Sequence, residues 1–213
     1  MNLLRAVWEY LEVNAGIYLF VSAFFLLGIV SGALMVRYLG EEQLTELHET
    51  LSLFLISLRQ GGLEMLEPPE LLRASLWKNV RYLLLVWVLG LFWLGFPLVL
   101  VLLALKGLAI GFTVGLMVHT SSFQGVVFSL AAVLPHNLVL VPAYIAAAAT
   151  AVTLSLLKLK YRLAHGGKNS SNEGRYFKQY CLLMLLFLFF ILLGGLVEAY
   201  ITPVFMRLAV GIM

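Results

Sequence analysis

The chain reads as an all-α membrane protein of about five transmembrane helices, with an N-terminal amphipathic interfacial helix, a helical extramembrane loop and a kinked or re-entrant third span. Three observations predict this. Hydrophobic residues make up 62% of the 213 residues and charged residues only 12%, about half the roughly 25% that a water-soluble domain carries. Uncharged apolar runs recur at the length, roughly 20 residues, that a helix needs to cross a hydrocarbon core. The basic residues flank these runs instead of forming one face, so the net charge of +3 is a topology signal and not a nucleic-acid surface. The whole chain, 1–213, forms a single polytopic membrane domain.

Residues 1–15 place Leu3, Leu4, Val7 and Leu11 on one helical side and Arg5, Glu9 and Glu12 elsewhere, the pattern of a helix lying in the membrane interface. Residues 16–36 follow as span one without a charge. This run is longer than the 7–15 apolar residues of a signal peptide and lacks an Ala-x-Ala-like cleavage site, so it is read as a retained span.

Residues 37–81 form the extramembrane loop. Leu44, Leu47, Leu51, Phe54 and Leu58 recur at gaps of three and four, an apolar helical stripe opposed by Glu41, Glu42, Glu46 and Glu49. The stripe is assigned as a partner-docking surface; lying on the membrane or covering the spans are the other uses of such a face. Gly61-Gly62 ends this helix, and Pro68-Pro69-Glu70 opens another that carries Arg73, Lys78 and Arg81 into span two.

Between Tyr82 and Leu157, Lys106 is the only Lys, Arg, Asp or Glu. Three spans fit, at about 82–105, 107–134 and 138–157. Lys106 falls between the first two and is expected to snorkel to the cytoplasmic interface. The segment 107–134 is kinked or broken near His119-Thr120-Ser121-Ser122, or else is a re-entrant pair of half-helices. Residues 158–179 set Lys158, Lys160, Arg162, Lys168, Arg175 and Lys178 against one acid, Glu173, around a linker-like HGGKNSSNEG. Span five, about 180–200, contains Glu198.

With five spans, eight Lys and Arg fall on the side of the N-terminus and six on the other. The dense basic loop 158–179, set against seven acids in loop 37–81, places the N-terminus in the cytoplasm and the C-terminus outside.

Gly28 and Gly32 in span one, and Gly107, Gly111 and Gly115 in span three, are spaced four apart. Such glycines let a second helix backbone approach closely, for packing within the chain or for dimerisation. Lys106, His136, Asn137 and Glu198 are the intramembrane polar residues. Pro135 and Pro142 interrupt the helix around His136 and Asn137. Glu198, expensive in lipid, is expected to meet His136 or to sit at the water interface.

No catalytic, cofactor or metal residue is assigned. His48-Glu49-Thr50-Leu51-Ser52 is not a zinc-protease motif, and neither a nucleophile elbow nor a phosphate loop occurs. The chain contains no aspartate, which excludes an intramembrane aspartyl protease. Cys181 is the only cysteine, too few for an internal disulfide or a cysteine-based metal site.

Four blocks, YLFVSAFFLLGIVSGAL (18–34), LKGLAIGFTVG (105–115), LPHNLVLVPAYIAA (134–147) and VEAYITP (197–203), resemble in order and spacing the stage II sporulation protein M family of bacterial membrane proteins. Asn137 departs from the glycine expected in many relatives. The resemblance implies a non-enzymatic membrane scaffold of forespore engulfment. Such a scaffold recruits a lytic transglycosylase and an amidase/endopeptidase to the septal membrane for cell-wall remodelling. The residues alone leave room for a second function, a transporter permease subunit that dimerises and couples to a separate ATPase.

Overall fold

The computed structural model describes residues 3–59, 68–165 and 173–212, and these are helical apart from short turns. Six α-helices follow one another: α1 Leu3–Met35, α2 Glu41–Arg59, α3 Pro68–Gly90, α4 Gly95–His165, α5 Glu173–Leu196 and α6 Thr202–Ile212. A 3-10 turn, Val36–Tyr38, closes α1, and a π-helical turn, Val197–Ile201, joins α5 to α6. Gly61-Gly62 and most of the HGGKNSSNEG linker lie outside the described residues.

The 71 residues of α4 do not form one rod. The Phe96 amide donates to Ser155 Oγ at 3.0 Å across 59 residues, which a straight helix would hold about 88 Å apart. The chain therefore reverses between His119 and Val126, and Met117 on one arm packs beside Phe128 on the other. The expected third span 107–134, kinked or re-entrant near His119, is thus divided between two arms, and neither is a short half-helix. The arms Gly95–His119 and Val126–Ala164 are each long and apolar enough to cross a membrane, as are Ala15–Tyr38 and Gly174–Ala209.

Three expected boundaries move. The interruption expected at Pro135 and Pro142, between spans 107–134 and 138–157, is not there, because the arm Val126–Ala164 runs through both prolines as helix. The expected interfacial helix 1–15 is not separate from span one: the backbone is one helix from Leu3 to Met35, since Gly16 alone weakens a helix without ending it. The span placed at 82–105 ends early, at Gly90, and α4 opens at Gly95. Gly90, Gly95 and Pro97 mark this reversal, hidden in an uninterrupted apolar run. The turn is held from the second arm of α4. Ser155 Oγ donates to the Phe92 carbonyl at 2.7 Å, Lys158 Nζ donates to the Leu91 carbonyl at 2.8 Å, and Arg162 stacks on Trp93.

Contacts fix the chain directions. Gly28 opposes Ala104, Gly32 opposes Leu108 and Phe112, and Gly115 opposes Ala33, so α1 and the first arm of α4 are parallel. Gly195 lies against Ser75 and Leu76, while Tyr180 donates to the Trp87 carbonyl, so α5 is antiparallel to α3. Gly194 meets Leu140 and Tyr180 lies near Ala151, which makes α5 antiparallel to the second arm too. The bundle has a basic end, with the 91–94 turn, Lys158, Lys160, Arg162, Arg175 and Lys178. Its other end carries the glutamates of α2.

The second arm is the central helix, with 61% of its apolar window buried against 28–33% in the other three candidates. Its small face, Ala143, Ala147, Ala148 and Ala151, lets Leu83, Val86, Val99, Leu103, Met184 and Ile191 close around it in one core. In lipid such packing rests on close van der Waals contact, not on expulsion of water.

Candidate functional site: a polar network inside the bundle

Helix α3 enters the bundle with Ser75, Asn79 and Tyr82 on one face, spaced four and three apart. Asn79 is fully buried and joins three other helical segments. Its amide donates to Glu198 Oε2 at 2.9 Å and to Ser75 Oγ at 3.3 Å. Its carbonyl oxygen accepts from Tyr144 Oη at 2.7 Å and from Lys106 Nζ at 3.4 Å. An asparagine can serve both sides because one end of its amide donates and the other accepts.

Glu198 receives two further groups, Ser75 Oγ at 2.6 Å on Oε2 and Lys78 Nζ at 2.6 Å on Oε1. A carboxylate in an apolar bundle is tolerated when ion pairing and hydrogen bonds replace its water. The local backbone helps to place it. Glu198 lies in the π-helical turn, where the Thr202 amide bonds back five residues to the Val197 carbonyl. Pro203 supplies no N–H and its ring crowds the carbonyl four residues back, at Ala199, so this segment widens by one residue. Such turns concentrate at functional positions.

The expected Glu198–His136 contact is not formed. His136 Nδ1 lies 3.3 Å from Thr202 Oγ1, one turn beyond Glu198, and Asn137 Nδ2 donates to the Val133 carbonyl at 2.8 Å and lies 3.1 Å from His136 Nε2. Glu198 instead finds α3, whose Ser75, Lys78 and Asn79 lay outside the expected set. The four-three spacing of Ser75, Asn79 and Tyr82 at the mouth of an apolar run is the sequence signal for them.

Lys106 is not at a turn. It sits eleven residues into α4, about 16 Å from the basic end, near mid-depth of a hydrocarbon layer about 30 Å thick. Its ammonium faces the rings of Tyr144, at 4.8 Å, and Tyr82, at 5.5 Å, which are themselves edge-packed. Desolvated cation–π contacts of this kind are worth about 2 kcal/mol. Among the described residues no carboxylate pairs with Lys106, and the Tyr82 hydroxyl is buried without a hydrogen-bond partner.

The five glycines all lie in the contact between α1 and the first arm of α4. Cβ atoms at Gly28 and Gly32 would strike the backbone of Ala104 and Leu108, and at Gly107 and Gly111 that of Phe25 and Ile29. At Gly115 the nearest atom is Ala33 Cα, at 3.0 Å. This surface is used within the chain, between α1 and α4.

On α2, Leu44, Leu47 and Leu51 are half-buried, while Phe54 is exposed; the side chain of Leu58 lies outside the description. Helix α2 packs against α6, and the His48 and His119 rings lie 6.0 Å apart. Three leucines of the expected docking stripe thus cover the bundle, and the outward face of α2 is carried by Leu53, Phe54 and Ile56. No cluster of three or more metal-binding side chains occurs among the described residues.

Neither a curated protein nor a solved structure matches the chain. A protein-family model, described as Stage II sporulation protein M, matches residues 21–203. That range holds the α1–α4 glycine contact, the Asn79 network and the π-helical turn alike, and this multi-helix membrane protein belongs to the Stage II sporulation protein M family.

Proposed function

We propose that the protein is a non-enzymatic scaffold of the septal membrane. In this reading it gathers a lytic transglycosylase and an amidase/endopeptidase for the wall remodelling of forespore engulfment. Family membership across residues 21–203 is the observation that carries this. The geometry agrees with it: the polar groups of the bundle are largely spent on one another, and α2 offers Leu53, Phe54 and Ile56 to the outside.

The scaffold crosses the membrane five times, α3 being the fifth pass. Since α1 and the first arm of α4 are parallel, the chain must return to the basic end between them, and α3 is the helix that does so. Arg73, Lys78 and Arg81 make α3 less apolar than the other passes. Lys78, however, is paired with Glu198, and Leu84, Leu85 and Val88 present an apolar outer face. The basic end faces the cytoplasm, with the N-terminus there, and α2 and the C-terminus lie outside.

The test charges the outward face of α2, with L53E, F54E and I56E together, in sporulating cells. Loss of the wall hydrolases from the septum, with the scaffold at normal abundance, is the expected result. Hydrolases retained at the septum beside a stable variant would remove α2 as the dock.

One observation favours a second reading as a permease subunit: Lys106 lies at mid-depth with no carboxylate partner among the described residues, as in a polar pathway. Substrate uptake or stimulation of an ATPase in proteoliposomes distinguishes it from an inert scaffold.

A further inference from the structure

The basic end holds a cleft of about 310 Å³ between the last turns of α4 and the first turns of α5. Leu157, Lys158 and Tyr161 form one wall and Gly174, Tyr176 and Phe177 the other. Lys158 is the cation in its lining. Arg162, Arg175 and Lys178 lie on the same two flanking segments, and Glu173, the first residue of α5, is the one acid there. The cleft lies where the candidate spans Val126–Ala164 and Gly174–Ala209 meet their ends, at the level of Trp93, which stacks under Arg162. Aromatic rings beside cations at a span end are the furniture of the headgroup layer. Lys158 uses one N–H on the Leu91 carbonyl, and an ammonium has three to give.

From this arrangement we infer that the α4–α5 cleft is a binding site for an anionic phospholipid. The phosphate is held at Lys158, and the start of an acyl chain runs along Leu157 and Phe177. Charge complementarity selects the headgroup, because Lys158, Arg162, Arg175 and Lys178 outnumber the acid Glu173, and a neutral zwitterionic lipid gains little from that surplus. The apolar wall, and a Phe177 side chain left 48% exposed, distinguish a lipid from a soluble anion. The site is independent of what docks on α2, at the opposite end of the bundle.

The experiment is native mass spectrometry of the purified protein given equal amounts of phosphatidylglycerol and phosphatidylcholine. Preferential retention of phosphatidylglycerol is expected. Lys158→Gln, which keeps a donor for the Leu91 carbonyl, should lower that retention about fivefold, the effect of one cation near a phosphate. Gly174→Trp should lower it as well with charge unchanged, because a side chain there starts in open space and fills the cleft. Lys160→Gln removes the same charge from a different hollow, lined by Leu156, Leu159 and Leu163, and should leave retention intact. Equal losses for Lys158→Gln and Lys160→Gln would reduce the effect to diffuse electrostatics and overturn the site. So would equal retention of the two lipids. Glycerol phosphate without acyl chains should give no adduct; an adduct as strong as the lipid's would overturn the lipid assignment.

Discussion

Asn79 donates to Glu198 across 119 residues of sequence, and through this bond α3 is fastened to the π-helical turn. The same side chain also accepts from Tyr144 and Lys106. Hydrogen bonds between membrane helices average roughly 0.6 kcal/mol each, so Asn79→Leu, losing three partners on other helical segments besides Ser75 on its own, should cost about 2 kcal/mol in reversible unfolding from detergent micelles. Lys78→Met removes the ion pair to Glu198 but leaves the Ser75 and Asn79 donors on the carboxylate, so its loss should stay below that of Asn79→Leu. A larger penalty for Lys78→Met than for Asn79→Leu would mean that the ion pair, and not the asparagine, organises the site.

The glycine contact between α1 and α4 predicts a graded series. Gly111→Leu places a side chain directly on the Ile29 backbone, and overpacking against atoms that cannot rotate away costs about 1–3 kcal/mol or more. Gly115→Ala, with its nearest neighbour at 3.0 Å, should cost less. Gly16→Ala meets nothing within 4 Å and should stabilise the helix by up to about 1 kcal/mol. Thermal unfolding of the three proteins in one detergent gives the order; equal behaviour of Gly111→Leu and Gly16→Ala would contradict the close approach.

Pro203 sets the turn that carries Glu198. Replacing a proline inside a helix by alanine commonly relieves about 3 kcal/mol. Here Pro203→Ala should instead lower thermal stability, because residues 197–201 gain a donor, relax toward an ordinary α-turn and swing Glu198 away from Ser75 and Asn79. In a Glu198→Gln background the penalty should shrink. A Pro203→Ala protein more stable than the parent would show that the π-turn does not depend on the proline.

The sequence is informative wherever one solvent decides. Apolar length located most of the lipid-facing helix, proline at 68 and 69 opened α3 where expected, and the glycine spacing marked a helix contact. It is less informative where every residue is apolar. The reversal at 91–94 is written in Gly90, Gly95 and Pro97, yet hydrophobicity alone does not fall there, so Lys106 looked like the turn. Its true position follows from long-range packing against Tyr144 and Asn79, which no local period encodes. Glu198 stood out by charge, but its partners were distributed along α3, and His136, the nearer polar residue in the pattern, bonds to Thr202 instead.

Chain direction supplies the sharpest test of topology. Gly40 follows the end of α1 and Gly174 lies in the first turn of α5, and α1 and α5 run the same way, so the two positions sit at opposite ends of the bundle. A Cβ at either meets no neighbour within 4 Å, which makes cysteine sterically acceptable at both. With Cys181 changed to serine, a membrane-impermeant maleimide should label Gly40→Cys in intact cells and Gly174→Cys only after permeabilisation. Five passes require opposite sides, because α3 carries the chain back between two parallel helices. If α3 lay outside the bilayer, the first arm of α4 would have to enter from the side where α1 leaves, antiparallel to α1, against the Gly28–Ala104 and Gly115–Ala33 contacts. Labelling of both cysteines from one side would therefore break the parallel α1–α4 pairing together with the five-pass arrangement.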